Sequence, residues 1–291
     1  MLKRYKRYVV LGISDSHSGF TLGLTNPETM LKDPYTQLPS YISMNEGQTY
    51  LWNDIFMPAV NDVFAFAGRD DVYVTHIGDP AHGNKHPSEL ISTQLSDQID
   101  VAISTFAPVL SRKNVKACRI AEGTAAHNFG EASAETLIET RLQKEYPKVD
   151  IRCVRHGLLT LPDGFRIDYA HHGPSPGNRI WTKGNTARSY LRSEMQRELN
   201  SGKIPANFYM RGHFHEPVKE WATVVREDVR HESWLMILPS MCLMSEFASQ
   251  STKSQPVITN GVIALEIING KLTQTLEFTQ TDDLRTEEIL C

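Results

Sequence analysis

Tyr8-Val9-Val10-Leu11-Gly12-Ile13-Ser14-Asp15-Ser16-His17-Ser18-Gly19 begins as an apolar run and turns abruptly polar. An unbroken run of this kind, rich in β-branched residues, reads as a strand covered on both faces. Its polar end carries a carboxylate and an imidazole two residues apart. Open α/β sheets hold their ligands at that end of the strand. The pattern recurs twice. Residues 72–77 form a second apolar run that ends in Gly78-Asp79-Pro80-Ala81-His82-Gly83. Residues 115–121 read as a third strand, followed by Gly123-Thr124-Ala125-Ala126-His127.

Helical patterns separate these strands. Residues 46–67 carry Leu51, Ile55, Val63 and Phe64 on one face, with Asn45 and Gln48 spaced as a capping pair and Pro58 placed to kink or divide the helix. Residues 88–110 repeat apolar side chains at helical spacing from Leu90 to Phe106, and residues 132–146 form a third helix closed by Pro147. The second half reads mostly as strands: 151–156, 158–161, 165–170, 208–211, 218–225 and 234–238. It closes with a 262–278 hairpin turning at Asn269-Gly270. One helix, near 186–199, interrupts them. The 165–170 strand ends in His171-His172-Gly173, and the 208–211 strand ends in Gly212-His213-Phe214-His215. Alternating β and α therefore gives way to mostly β, and several strand ends carry Asp, His and Gly together.

Composition limits the function classes. The chain has 291 residues, 40% of them apolar and 22% charged, with a formal charge of −4 and 11 histidines. That is the profile of a folded globular protein, with no apolar run long enough to span a membrane. The mild negative charge argues against a protein that coats nucleic acid, although a local basic groove stays open. Four scattered cysteines without a C-x-x-C pair fit neither a zinc ribbon nor a disulfide framework, so a reducing, cytoplasmic setting is expected. No signal-peptide pattern follows the basic cluster Lys3, Arg4, Lys6 and Arg7, which reads as a solvated strand entrance.

Carboxylate oxygen and imidazole nitrogen together suit divalent metals such as manganese, iron, zinc, nickel or magnesium. In His213-x-His215 two imidazoles lie on the same side of an extended segment and can face one ion. Taken in order, D-x-H, G-D-x-x-x-G, G-x-x-x-H, H-G and G-H-x-H resemble the calcineurin-like metallophosphoesterase superfamily, over Asp15 to His215. The resemblance implies a two-layer β-sandwich flanked by helices, an α/β/β/α arrangement of mixed α+β class. It implies two divalent ions, Mn²⁺ foremost. Asp15, His17 and His215 would hold one, Asp79 would bridge, and His213 with His172 would hold the other. His171 is the rival of His172, because register decides which ring faces inward.

The chain departs from the family at one motif: the Asn of the usual G-N-H block is missing. His127 is then either the general acid or a replacement ligand, and Thr124 or Asn128 is a substitute oxygen. His82 and Arg179 are the candidate substrate contacts, with a loop histidine and a solvated helix face as their plainer readings. The implied chemistry is hydrolysis of phosphodiesters, in nucleic acid or nucleotides, by hydroxide formed on the paired ions. Phosphomonoesters are the alternative substrates, and a non-catalytic scaffold of the same fold is the alternative role. The expected organisation is a single domain over 1–280, with a loop excursion at 20–45, an insert-like segment at 174–200 and a charged tail at 281–291.

Overall fold

The computed structural model describes residues 6–33, 36–127, 133–177, 179–244 and 256–287. Asn128, Lys3 and Arg4 and the end of the charged tail lie outside the described residues. The strands are β1 (Arg7–Ile13), β2 (Met30–Lys32), β3 (Pro39–Tyr41), β4 (Asp71–His76), β5 (Val115–Ala121), β6 (Asp150–Val154) and β7 (His156–Thr160). Then follow β8 (Arg166–Ala170), β9 (Phe208–Arg211), β10 (Val218–Arg226), β11 (Val229–Ile237), β12 (Val257–Ile268) and β13 (Lys271–Asp283). The helices are α1 (Glu46–Tyr50), α2 (Met57–Ala67), α3 (Leu95–Leu110), α4 (Ala134–Glu145) and α5 (Asn185–Asn200).

The strands form a six-stranded sheet, ordered β13-β12-β1-β4-β5-β6, and a five-stranded sheet, ordered β10-β11-β9-β8-β7. β1 explains how they stack. Val9 and Leu11 point to one side, into a core shared with α1–α4. Tyr8 and Val10 point to the other, into a core shared with Phe165, Ile167, Phe208 and Met236 of the second sheet. Alternate side chains of one strand thus feed two cores, which is why its sequence is unbroken apolar. α5 covers the far face of the second sheet through Ala187, Leu191 and Met195. The fold is the expected four-layer α/β/β/α arrangement.

Chain direction brings the functional ends together. β1, β4, β5 and β6 run parallel, as do β8 and β9. The segments leaving β1, β4 and β5 therefore emerge side by side. Those leaving β8 and β9 meet them from the second sheet. Gly212 packs closely against the ends of β1 and β4, and a Cβ there would lie 2.3 Å from Ser14 Oγ and 2.7 Å from the Ile77 carbonyl.

Several elements differ from the sequence expectations, among them the closing hairpin, which runs over Val257–Ile268 and Lys271–Asp283, and the 20–45 excursion, which holds the β2–β3 pair. The 46–67 helix contains a wider turn at Leu51–Phe56, where the Met57 amide bonds the Trp52 carbonyl. Pro58, at the start of α2, donates no backbone bond and crowds the preceding turn, which the wider turn relieves. α3 starts at Leu95 rather than 88. Leu90 pairs with Phe20, and the Ile91 amide donates to the Gly19 carbonyl at 2.8 Å, which holds this stretch extended. The β10–β11 hairpin also runs longer than expected, because its charged outer end is exposed and carries no apolar signal. Among the described residues no helix is long and apolar enough to cross a membrane.

Candidate metal centre

The segments after β1, β4 and β9 adopt a backbone that ordinary side chains avoid. Asp15 (φ 52°), His17 (φ 43°), Asp79 (φ 49°), His213 (φ 74°) and His215 (φ 55°) all lie in the left-handed region. Each such residue costs on the order of 1–3 kcal/mol, and strain of this kind concentrates at functional sites. Here it aims consecutive side chains at one centre. The conformation is held by backbone pairing: the Asp15 amide donates to the Gly78 carbonyl (3.2 Å) and the His17 amide to the Asp79 carbonyl (2.9 Å).

Four groups of side chains bring their potential ligand atoms within 4.8 Å of one another: Asp15–His17–His215, Asp15–Asp79–His171, His171–His172–His213 and His17–His82–His127. Asp15 is common to the first two. His215 Nε2 lies 3.3 Å from Asp15 Oδ1 and 3.3 Å from His17 Nε2. His171 Nε2 lies 3.0 Å from Asp79 Oδ2. Both carboxylates are buried, and both are supported by neutral donors. The His213 amide donates to Asp15 Oδ2 (3.1 Å), and Ser14 Oγ donates to the same oxygen. The Thr124 amide donates to Asp79 Oδ1 (2.7 Å).

The electrostatics favour ionised carboxylates. Burial alone would raise Asp15 and Asp79, but His215, His171 and His17 around Asp15, and His171, His17 and His127 around Asp79, hold both well below the usual carboxylate range. Burial pushes His17 down, and with neighbouring imidazoles it takes His82 to about 3. His171 goes the other way. Burial lowers it, but the bond from Asp79 and the charges of Asp15 and Asp79 outweigh that and carry it to about 9.

His171 and His172 are both in the cluster but are not equivalent. His171 is 1% exposed, and its Nδ1–H donates to the Ile77 carbonyl (2.7 Å), which leaves Nε2 to face the carboxylates. A ring fixed this way through its far nitrogen is the usual support of a metal-ligating histidine. His172 lies exposed beside His213, with ring centroids 4.7 Å apart.

His127 Nδ1–H donates to the His82 carbonyl, and its Nε2 lies 3.8 Å from Asp79 Oδ2. His82 is folded inward, stacked on Phe20 (4.2 Å between centroids), with Nδ1 3.3 Å from His17 Nδ1. Arg179 stands on an exposed loop with its guanidinium 5.8 Å from the Trp181 ring, and no contact among the described residues joins it to the cluster. Lys183 and Arg188 are committed to Glu216 (2.8 Å) and Glu220 (2.7 Å). His156 is half-exposed and bonds Asp168 at 2.9 Å.

Two supporting residues escaped the sequence reading. Gln98, fully buried, exchanges two bonds with Gly83 (3.0 Å each) and so holds the His82 segment. Buried Glu135 accepts from the Gly123 amide (3.0 Å) beside Asp79. Gln98 did leave a signal: it falls on the apolar face of its helix, three residues after Leu95 and four before Ala102.

No family model and no curated protein matches the chain. Among solved structures, a metallophosphoesterase from Sphaerobacter thermophilus is similar over 92% of this chain and 87% of that one. Its sequence identity is 11% and its TM-score 0.30. At that score the functional reading rests on the residues themselves. Their donor set fits a divalent cation: two buried, ionised carboxylates and several imidazoles with a ring nitrogen directed inward.

Proposed function

We propose that the chain is a divalent-metal phosphoesterase with a two-ion centre, acting foremost on phosphodiesters of nucleic acids or nucleotides. The observation that supports it is the overlap of the groups Asp15–His17–His215 and Asp15–Asp79–His171, extended by His213. We assign Asp15, His17 and His215 to one ion, His171 and His213 to the other, and Asp79 to the space between them. Divalent ions bound there supply an activated water and neutralise charge on phosphoryl oxygens.

The chain's own residues account for the remaining tasks. Asp79 stays ionised because the Thr124 amide and the surrounding imidazoles stabilise its charge. His127 is the group we assign to the leaving oxygen, because its Nδ1 is committed to the His82 carbonyl and only Nε2 is left to transfer a proton. His82 takes the role of fixing His17 rather than touching substrate, since its ring is buried.

Purified protein with added Mn²⁺ tests the reading on a generic phosphodiester, a generic phosphomonoester, and single- and double-stranded DNA. Diester hydrolysis that disappears in Asp79→Asn is the expected result. Activity on the monoester alone overturns the diester assignment. A protein that binds no Mn²⁺ and stays inert on every substrate overturns the enzyme in favour of the scaffold.

A further inference from the structure

Thr124 follows β5 and projects its hydroxyl into the cluster. Oγ1 lies 3.2 Å from Asp79 Oδ2, 3.1 Å from His171 Nε2 and 3.3 Å from His213 Nδ1. The position is fixed from behind. The Thr124 amide is bonded to Asp79 Oδ1, and the β-branched side chain has few rotamers to choose from.

A hydroxyl has one proton and two lone pairs. His171 spends its Nδ1 proton on the Ile77 carbonyl, so once Nε2 gives up its own proton, as cation binding there would require, the ring presents a lone pair. The single threonine proton then faces a carboxylate oxygen, the His171 lone pair and a His213 nitrogen. It can satisfy one of them. The remaining lone pairs converge with the hydroxyl's own, an arrangement that a cation among them relieves.

We propose that Thr124 Oγ1 is an oxygen ligand at the His171–His213 cation position, and that this position is the weaker of the two. The proposal rests on the two-ion reading above. Its second half follows from charge. The position at Asp15, His17 and His215 has a carboxylate of its own. The position at His171, His213 and Thr124 has only neutral donors apart from the Asp79 it would share. Affinity for oxygen-seeking divalent ions scales with the charge of the ligands. One position should therefore fill first and the other exchange readily.

The experiment is calorimetric titration of Mn²⁺ into chelator-treated full-length protein, with melting curves to establish folding. Wild type should show two resolved events. Thr124→Val keeps the shape and removes the oxygen. It should weaken the second event by roughly 10- to 100-fold, the range for losing a supporting group at a metal, and leave the first unchanged. Thr124→Ser, which keeps the oxygen, should retain both. Should the valine variant fail to fold, Thr124→Ala is read in the same way. A folded Thr124→Val or Thr124→Ala protein that binds two ions as wild type does overturns the ligand role. Two events of equal affinity in wild type overturn the asymmetry. Wild-type protein that binds no Mn²⁺ at all overturns the two-ion reading itself, a distinct result.

Discussion

Gly123→Ala is a test of the centre that touches none of its ligands chemically. A Cβ on Gly123 would lie 1.9 Å from Asp79 Oδ1 and 2.5 Å from the Asp79 amide nitrogen, where ordinary contact begins at 3.4 Å. The carboxylate must give way by 3.4 − 1.9 = 1.5 Å and the backbone by 3.4 − 2.5 = 0.9 Å. Rotating the carboxylate alone does not help, because the amide is part of the clash. The displacement breaks the 2.7 Å bond from the Thr124 amide and re-aims Oδ2, which now sits 3.0 Å from His171 Nε2. A misplacement of about 1 Å costs roughly 100-fold in rate, so a loss of at least that size is expected in Mn²⁺-dependent phosphodiester hydrolysis. The overpacking should cost about 1–3 kcal/mol in stability. The control is Gly164→Ala, where nothing lies within 4 Å of the added carbon and the penalty is confined to backbone strain at φ +88°. It should lower the melting temperature without changing turnover. A folded Gly123→Ala protein with wild-type activity and wild-type Mn²⁺ affinity would refute the placement of Asp79.

Three further outcomes follow from the same structure. In metal-depleted protein, His17, His76 and His82 have depressed pKa values, so stability should rise with pH up to their ordinary value of 6.5. His171 is raised to about 9, so its contribution is complete below 6.5 and is lost as pH climbs through about 9. The melting temperature should peak near 6.5, and a flat profile across this range contradicts the assignment. His82→Phe keeps the stack on Phe20 but removes the partner of His17 Nδ1, so Mn²⁺ should bind the Asp15 position about 10-fold or more weakly. Unchanged affinity by titration would remove His82 from the support of that ligand. Arg211, 0% exposed and paired with Asp168 at 2.7 Å, is a buried ion pair. Arg211→Met should cost about 3–5 kcal/mol in urea unfolding, and a cost below about 1 kcal/mol would put it among ordinary surface pairs.

Much of this was legible in the sequence, for identifiable reasons. β1 is covered on both faces and spells an unbroken apolar run, while β4 and β5 keep a mostly apolar pattern interrupted by Thr75, His76, Lys116 and Arg119. Their functional residues sit immediately past those runs, where polarity changes most sharply. The order of Asp15, His17, Asp79, His213 and His215 could therefore be read along the chain. The choice between His171 and His172 could not, because it depends on a carbonyl, that of Ile77, contributed by another sheet. Leu90 and Ile91 continue the helical apolar pattern of residues 95–106, but Leu90 pairs opposite Phe20 and the Ile91 amide donates to Gly19, and tertiary pairing overrides the local period there. His82 looked like a loop residue, since nothing local announces that Phe20 and Gln98 draw the segment inward.

The candidate ligands come from both sheets: Asp15 and Asp79 leave the six-stranded sheet, His171 and His213 the five-stranded one. An ion held among them is therefore also a rivet through the seam of the sandwich. Prising the sheets apart and releasing the ion become one event. At a free cation concentration 100 times the dissociation constant, a ligand bound only by the folded chain adds about 2.7 kcal/mol. With an ion bound there, the concentration of divalent cation around the protein would set part of its folding stability.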